Sequence, residues 1–289
     1  MRRANSLVRR YKKGHALAAK IKIGNYGYTC QPRWGFGQPT HPRLTEIIAR
    51  HRADYSRLLD RFVELTDLFA AIPMDAAEDS PQPRWNNPWF TALDGIALTG
   101  MLVRHDPRLL IEIGSGNSTK FARHAITQRK LRTKIVSIDP QPRAEVDALC
   151  DEVIRAPAEF VDPTVFSRLK SGDILFIDSS HRALENSDVT ALFLEVLPEL
   201  PPGVIVHVHD VYLPYDYPPH AEGLMYNEQY LLAALLLGEA KWLEPAFPNY
   251  YVVQDPQLSA KLAPIWQALG TNAFPAPSNS FWLNIKKRR

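Results

Sequence analysis

The sequence predicts an α/β fold built on a doubly wound, mostly parallel sheet. From Leu109 to Ile285, short apolar runs alternate with segments of helical period, and the first runs stop at a glycine or an acid, as buried parallel strands do. Strands and helices that alternate in this way form parallel sheets with right-handed crossovers. With 289 residues, 45% of them hydrophobic and 22% charged, the chain can bury the core of such a fold.

The part of the chain before the sheet is basic and then helical. Between residues 44 and 71, apolar residues recur at three- and four-residue steps, which predicts an amphipathic helix. A proline-bearing link over residues 75–88 follows, and a helix over residues 89–103 leads into the sheet. We therefore divide the chain into a basic N-terminal arm with a helical extension (residues 1–85) and a main domain (residues 86–289).

Seven apolar runs predict the strands, and polar residues gather where the early strands end. Ligands of doubly wound sheets bind at the carboxyl ends of the strands, where this chain places residues 114–119, Asp139, residues 178–181, and His209 with Asp210. We therefore expect the functional site at this edge. The predicted strands cover residues 109–113, 134–138, 152–155, 173–177, 203–208, 250–253 and 281–285, with helices over residues 118–129, 189–197 and 227–237.

The composition predicts in which cellular compartment the protein lies. The chain has only two cysteines, Cys30 and Cys150, which make neither a disulfide framework nor a zinc site and favour a reducing compartment. No run approaches the roughly 20 apolar residues of a membrane-spanning helix, and the N-terminus lacks the apolar core of a signal peptide. We expect a cytoplasmic protein.

The net charge of +3 hides basic ends on an acidic body. Of the 34 Lys and Arg residues, ten lie in residues 1–45 and four in residues 286–289, which leaves 20 against 31 acidic residues elsewhere. Such ends predict contact with an anionic surface, a membrane periphery or a charged glycan rather than a nucleic acid. A solvated, partly disordered arm without a partner is the commoner outcome for such tails and stays open beside that contact.

The turn after the first strand has the properties of a nucleotide-binding loop. Gly114 and Gly116 let the backbone approach a ligand, and the helix N-terminus follows. Asp139 ends the second strand near the spacing expected of a ribose-binding acid. A dinucleotide loop has a third glycine where this chain has Thr119, and Glu112 favours a ligand that carries positive charge. A nicotinamide-dependent oxidoreductase therefore remains only an alternative.

Five blocks of sequence resemble one branch of the class I S-adenosylmethionine-dependent methyltransferases, which is related to sugar and natural-product O-methyltransferases. The blocks are EIGSGNST (112–119), SIDPQPR (137–143), GDILFIDSSH (172–181), HVHDVYLPYDYP (207–218) and NEQYLL (227–232). The resemblance implies a Rossmann-like, seven-stranded methyltransferase sheet whose last strand is antiparallel. It also implies S-adenosylmethionine as cofactor, with the adenine near residues 156–160. The cofactor-binding residues that we expect are Glu112, Gly114, Ser115, Gly116, Asn117, Ser118, Asp139 and Asp178.

Methyl transfer from a sulfonium needs an aligned nucleophile and usually a base that removes its proton. His181, His209 and Asp178 are the predicted catalytic residues, since they follow the fourth and fifth strands. His207 lies within an apolar strand, where a hydrogen-bonded core histidine is the expected reading.

A divalent cation is a second mechanistic possibility. The resembling enzymes place an acid after strand four and two adjacent acids after strand five, so that Asp178, His209 and Asp210 are the predicted metal ligands. His209 stands where an acid is expected. Carboxylates suit Mg²⁺, whereas an imidazole favours Mn²⁺, Fe²⁺ or Zn²⁺. The rival is a metal-free mechanism with His181 or His209 as general base.

We expect a methyltransferase that acts on a hydroxyl oxygen of a sugar or secondary metabolite, a small-molecule or glycan acceptor. Aromatic residues over 212–217, with Tyr226, Asn227 and Glu228, predict a wall or lid over that acceptor. An amine or peptide acceptor and a non-catalytic binding protein are the alternatives. A homo-oligomer is also expected from the resemblance, with the helix over residues 44–71 as a candidate interface, although packing on its own domain explains that helix equally well.

Overall fold

The computed structural model describes residues 31–142, 146–221, 223–271 and 278–288. Most of the predicted basic arm, with Cys30, lies outside the described residues. The described residues from Pro32 onward form one unit, so the helices of the predicted extension share it with the sheet. Within the described residues no helix is long and apolar enough to cross a membrane.

Seven strands form one mixed sheet in the order β3-β2-β1-β4-β5-β7-β6. The first five strands are parallel, and β7 lies antiparallel between β5 and β6. This arrangement confirms the predicted Rossmann-like methyltransferase sheet with its antiparallel last strand. The strands are β1 (Leu109–Ile113), β2 (Lys134–Ile138), β3 (Glu152–Ile154), β4 (Ile174–Ile177), β5 (Ile205–Val208), β6 (Leu243–Pro248) and β7 (Phe281–Ile285).

Helices cover the sheet and extend it on the N-terminal side. Short 3₁₀ turns occur at Asp147–Leu149, Ala158–Phe160, Pro163–Arg168, Leu197–Glu199 and Pro219–Ala221. The helices are α1 (Pro42–Ala49), α2 (Arg52–Val63), α3 (Thr66–Ala70), α4 (Ala92–His105), α5 (Asn117–Arg129), α6 (Asp188–Ala191), α7 (Glu228–Leu237), α8 (Asn249–Gln254), α9 (Pro256–Ala260) and α10 (Ala263–Ala268).

The predicted strand over residues 250–253 is wrong, because this segment is helix α8. Its β-branched and aromatic residues suggested a strand, but the sixth strand is β6, just before it. Two prolines lie in β6, Pro245 and Pro248, and they concealed it. β6 is the outermost strand and pairs only with β7, and a strand at a sheet edge tolerates residues that lack an N–H.

The amphipathic segment over residues 44–71 is three helices rather than one. It bends at His51 and Leu65, whose φ values are −100° and −102°, and each helix keeps its apolar side buried. Phe62 of α2 is 1% exposed and packs edge-on against Phe247 of β6, with ring centroids 5.3 Å apart. Burying a side chain of this size contributes roughly 1.5–3 kcal/mol. The extension is therefore part of the core.

Two predicted helices have different limits in the structure. α4 begins at Ala92 rather than at residue 89, because the Asn87 side chain accepts hydrogen bonds from the backbone N–H groups of Trp89 and Phe90 and holds a turn there. The helix after β4 is regular only over α6 and then widens into a π-helical turn at Leu192–Val196. Pro198, which has no N–H to donate, lies in the 3₁₀ turn that follows.

Candidate active site

A glycine loop connects β1 to α5 and passes close to the end of β4. Gly114 has a φ of +76°, and a Cβ atom there would lie 2.0 Å from the backbone oxygen of Asp178. Only glycine fits this contact. A Cβ atom on Gly116 would meet nothing within 4 Å, so the backbone of the loop is open to an approaching ligand on that side. The geometry agrees with a loop that binds a ligand at the N-terminus of α5.

Glu112 is hydrogen-bonded to the residues that follow this loop. Its buried carboxylate accepts hydrogen bonds of 2.6 Å from the hydroxyl groups of both Ser118 and Thr119, at the start of α5. Burial raises the pKa of Glu112 to about 7, and the negative charges of Asp178 and Asp139 add to the rise, while the two hydrogen bonds oppose it. The carboxyl group therefore organises the loop. Its direct contact with a cofactor stays a prediction.

Asp139 ties the end of β2 to the same loop. Its carboxylate accepts hydrogen bonds from the backbone N–H of Ser115, at 2.8 Å, and of Gln141, at 2.7 Å. Asp139 is 8% exposed, so it lies at the boundary between the core and the loop surface. The structure thus brings the predicted ribose-binding acid next to the predicted methionine-binding loop.

A pocket that is open to solvent lies against the glycine loop. One wall consists of residues 115–118, Lys120 and Asp178. The opposite wall comes from residues 78–90, the segment before α4, and includes Arg84 and the half-exposed Trp89. Of the predicted cofactor-binding residues, five line this pocket directly: Ser115, Gly116, Asn117, Ser118 and Asp178.

Next to the pocket, His181 stands at the centre of three carboxylates. Its Nε2 lies 3.2 Å from Oδ1 of Asp178 and 3.3 Å from Oδ2 of Asp210. On the other side of the ring, Nδ1 pairs with the fully buried carboxylate of Glu228. His181 and Asp210 have φ values of +61° and +53°, which are uncommon for residues with side chains and occur often at functional sites.

Charge in this cluster controls the protonation of His181. Burial by itself would lower the pKa of His181, but Glu228, Asp178 and Asp210 outweigh burial and raise it well above the ordinary value. Burial would likewise raise the pKa of Asp178, but His209 and His181 hold it well below the usual range. The imidazole therefore keeps a proton at neutral pH in the absence of a ligand.

His209 forms the second half of the cluster. Its Nδ1 lies 3.5 Å from Oδ1 of Asp178 and 3.8 Å from Oδ1 of Asp210, and its Nε2 lies 3.6 Å from Oδ2 of Asp94. Burial opposes protonation, but these carboxylates raise the pKa of His209 well above its ordinary value. Four carboxylates, including Glu228, thus surround two imidazoles, and the cluster carries excess negative charge.

The three predicted metal ligands, Asp178, His209 and Asp210, lie together, yet they do not fit a metal site. Over the described ranges, no group of three or more His, Cys, Asp or Glu side chains has the arrangement of a metal site. Where the carboxylates of Asp178 and Asp210 converge, the Nε2 of His181 already lies between them. We therefore derive no step through a metal, and metal dependence stays a prediction.

Aromatic side chains cover the cluster where the lid was predicted. The ring of Tyr226 lies 4.5 Å from that of His181, and Tyr217 packs edge-on against Tyr226. On the β7 side, Asn279 donates a hydrogen bond to Asp210 and another, at 2.9 Å, to the hydroxyl group of Tyr212. These groups lie around His181 and Asp210.

Among the other predicted residues, His207 is a core residue, as expected. It is fully buried, stacks on Phe176 at 3.7 Å and shares a 2.8 Å hydrogen bond with Ser280. Burial lowers its pKa well below the ordinary value. His207 therefore supports β5 and takes no part in the cluster.

Sequence reasoning missed Asp94 and Asn279, and it placed Glu228 in the lid without its contact to His181. Asp94 is buried on α4, and its Oδ1 accepts hydrogen bonds from the Asn249 side chain, at 2.7 Å, and the Ser280 N–H, at 2.9 Å. An isolated acid inside an apolar helix was the available signal, because such an acid must be paired. Nothing local marks Asn279, whose contacts are all distant in sequence.

One segment of the chain matches a known protein family. Residues 111–211 match the family model described as a methyltransferase domain. No curated protein sequence matches the chain.

Solved structures with a similar fold are distant in sequence. One is the S-adenosylhomocysteine-bound methyltransferase PaMTH1 of Podospora anserina (15% identity over 84% of this chain and 96% of that chain, TM-score 0.41). Another is the O-methyltransferase TomG of Streptomyces achromogenes, in complex with S-adenosylmethionine (13%, 86% and 91%, TM-score 0.41). A third is an O-methyltransferase of Bacillus cereus in complex with S-adenosylhomocysteine (13%, 84% and 100%, TM-score 0.37). The matched segment, a methyltransferase domain, holds the glycine loop and the five parallel strands of the seven-stranded sheet.

Proposed function

We propose that the protein transfers the methyl group of S-adenosylmethionine to a hydroxyl oxygen of a small-molecule acceptor, a sugar or secondary metabolite, with His181 as general base. One observation carries this proposal: Asp178 both lines the pocket at the glycine loop and contacts His181. The pocket that suits the cofactor and the cluster that suits proton transfer thus share one residue.

When bound, the cofactor supplies an electrophilic methyl carbon on a sulfonium, and neutral S-adenosylhomocysteine is the leaving group. The excess negative charge of the cluster stabilises a cation in the adjoining pocket. Nε2 of His181, the atom that faces Asp178 and Asp210, would accept the proton that the acceptor hydroxyl loses as its oxygen takes the methyl group. Glu228 fixes the ring at Nδ1 and stabilises the imidazolium that results.

His181 accepts a proton only in its neutral form. Because the surrounding carboxylates raise its pKa, the neutral form grows as pH rises, and turnover should rise with it. The Glu228→Gln substitution removes the strongest of these raising charges. It should therefore lower the pKa of His181 and move the rising limb of the pH–rate profile to lower pH.

The test is a turnover assay with S-adenosylmethionine and a panel of hydroxylated acceptors, with methylated product detected by mass spectrometry. His181→Asn should lower kcat at least about 100-fold, the usual contribution of a general base, while leaving S-adenosylhomocysteine binding in place. His51→Asn, which changes a histidine at the start of α2, is the matched control and should keep full activity. Full turnover in His181→Asn would refute the role of His181.

The same negative charge also suits an amine acceptor, because an amine is cationic before it reacts. Methylation of amines or peptides, with none of hydroxyl groups, would replace the O-methyltransferase proposal with this alternative.

Assays after exhaustive chelation test whether the methyl transfer depends on a divalent metal ion. Loss of turnover that Mg²⁺ or Mn²⁺ restores would favour metal assistance by Asp178, His209 and Asp210.

The role of the basic ends stays a prediction. At the C-terminus, Lys286 pairs with Glu244 at 2.8 Å, and Arg288 lies 4.9 Å above the Trp242 ring, so both engage the protein's own surface. Removal of residues 1–22 tests the other end. Unchanged turnover with lost binding to anionic vesicles would make this segment a targeting element, and unchanged vesicle binding would contradict that role.

A further inference from the structure

Lys120 is a buried cation that lines the pocket and forms no salt bridge with any residue that the structure describes. It lies in the first turn of α5 and is only 4% exposed. Its ammonium donates a 3.0 Å hydrogen bond to the backbone oxygen of Glu78, and no carboxylate of the described residues lies within salt-bridge distance of it. An ammonium group removed from water without an opposite charge is costly, which indicates that an anion completes this environment.

A second cation lines the same pocket from the opposite wall. Arg84 lies on the segment before α4, donates a hydrogen bond to the backbone oxygen of Ala76, and has no salt bridge to any residue that the structure describes. Burial and, next, the positive charge of Arg84 lower the pKa of Lys120, while the more weakly acting charges of Asp79 and Glu78 oppose the shift, so Arg84 is the nearby charge with the largest effect on Lys120. Like charges held together at a helix N-terminus favour an anionic ligand.

The segment that carries Arg84 is ordered by its own contacts. The Asn87 side chain donates hydrogen bonds of 2.9 Å to the backbone oxygens of Arg84 and Phe90. The ring of the buried Trp85 packs 5.1 Å from that of Phe121 on α5. The backbone that carries Arg84 is thus held against the same helix that carries Lys120.

The charges of the pocket match a zwitterion. Lys120 and Arg84 are its two bases, and Glu78 and Asp178 are its two acids. We propose that Lys120 and Arg84 bind the α-carboxylate of the methionine part of the cofactor, an inference that rests on the proposed function. The acids then accommodate the α-amine and the sulfonium. The ligand class for this pair of residues is therefore a carboxylate next to a cationic group.

The experiment compares two ligands by calorimetry: S-adenosylhomocysteine, and its decarboxylated form, which keeps the amine and lacks only the carboxylate. The wild-type protein should bind S-adenosylhomocysteine at least tenfold more tightly than the decarboxylated form. Lys120→Met, which keeps most of the aliphatic stem, should weaken S-adenosylhomocysteine about tenfold to a hundredfold and the decarboxylated form less than about twofold. Arg84→Met should show the same selective loss. Lys134→Met, on the exposed first residue of β2, should bind as wild type does.

The outcomes separate this inference from the proposed function. Equal affinity of the wild-type protein for both ligands would overturn the inference and leave the methyltransferase assignment intact. Equal weakening of both ligands by Lys120→Met and by Arg84→Met would show a structural role only and would also overturn it. If Lys120→Met does not fold, two results test the inference instead: the preference of the wild-type protein for S-adenosylhomocysteine over the decarboxylated form, and the loss of this preference in Arg84→Met. Absence of any S-adenosylhomocysteine binding by the wild-type protein would remove both proposals.

Discussion

Replacing Glu112 with glutamine should make the free energy of unfolding less dependent on pH. Glu112 is a buried carboxyl group whose pKa is raised to about 7 from its ordinary 4.5. Between these pH values the folded protein binds more protons at this position than the unfolded chain does. The free energy of unfolding therefore falls as pH rises through this window. Below pH 4.5 the penalty is absent, and above pH 7 it is complete.

The size of the effect follows from the difference between the two pKa values. It corresponds to about 3 kcal/mol in the free energy of unfolding. Glutamine carries no charge at any pH, so Glu112→Gln escapes this penalty. Its amide can exchange hydrogen bonds with the hydroxyl groups of Ser118 and Thr119, which both donate and accept. The variant should match the wild type near pH 4.5 and exceed its stability by about 3 kcal/mol above pH 7.

Urea denaturation of the ligand-free protein, followed by tryptophan fluorescence from pH 4.5 to 8.5, measures this difference. Glu185→Gln, which changes an exposed glutamate, is the control and should alter stability little at any pH. A difference between Glu112→Gln and wild type that stays constant across the window would refute the reasoning. Glu112 would then be ionised throughout, held so by its two hydroxyl donors.

Three further predictions test the site. Gly114→Ala should lower the free energy of unfolding by about 3 kcal/mol or more, because its Cβ atom would meet the backbone of Asp178 at a positive φ. Gly116→Ala is the control and should leave the melting temperature unchanged. Equal melting temperatures of the two variants would contradict this prediction. Asp139→Ala should weaken S-adenosylhomocysteine at least about tenfold by calorimetry, and unchanged affinity would remove its predicted ribose role. Asp94→Asn should cost about 2 kcal/mol in urea denaturation, since its carboxylate accepts from several buried donors; wild-type stability would show that these contacts are dispensable.

The sheet could be predicted from the sequence where burial leaves a clear pattern. β1, β2, β4 and β5 are buried on both faces, and each is a short apolar run that ends in a polar residue or glycine. β6 has no such pattern, because an edge strand can contain prolines and half-exposed residues, and the adjacent residues 250–253 imitate a strand better than β6 does. The hydrophobic pattern of the sequence therefore does not identify the strand at this edge of the sheet.

Some residues of the candidate site could also be predicted from the sequence, and others could not. The residues at the ends of β1, β2, β4 and β5 were predictable, because the strand order brings carboxyl ends together. Asp94 and Asn279 were not, since they reach the cluster through contacts between α4 and the approach to β7, far apart in the chain. The pairing of His181 with Glu228 depends on the fold of the lid region, which no local spacing reveals.

The position of β7 has a consequence for biosynthesis. β6 is synthesised before β7 but pairs only with β7. It therefore cannot join the sheet until residues 281–285 have emerged from the ribosome. Until then β5 is an open edge, and Asp210 lacks Asn279. Chains that stop before β7 should expose two unpaired strands and associate with one another. The pairing of β7 thus closes both open edges and completes the site in one step.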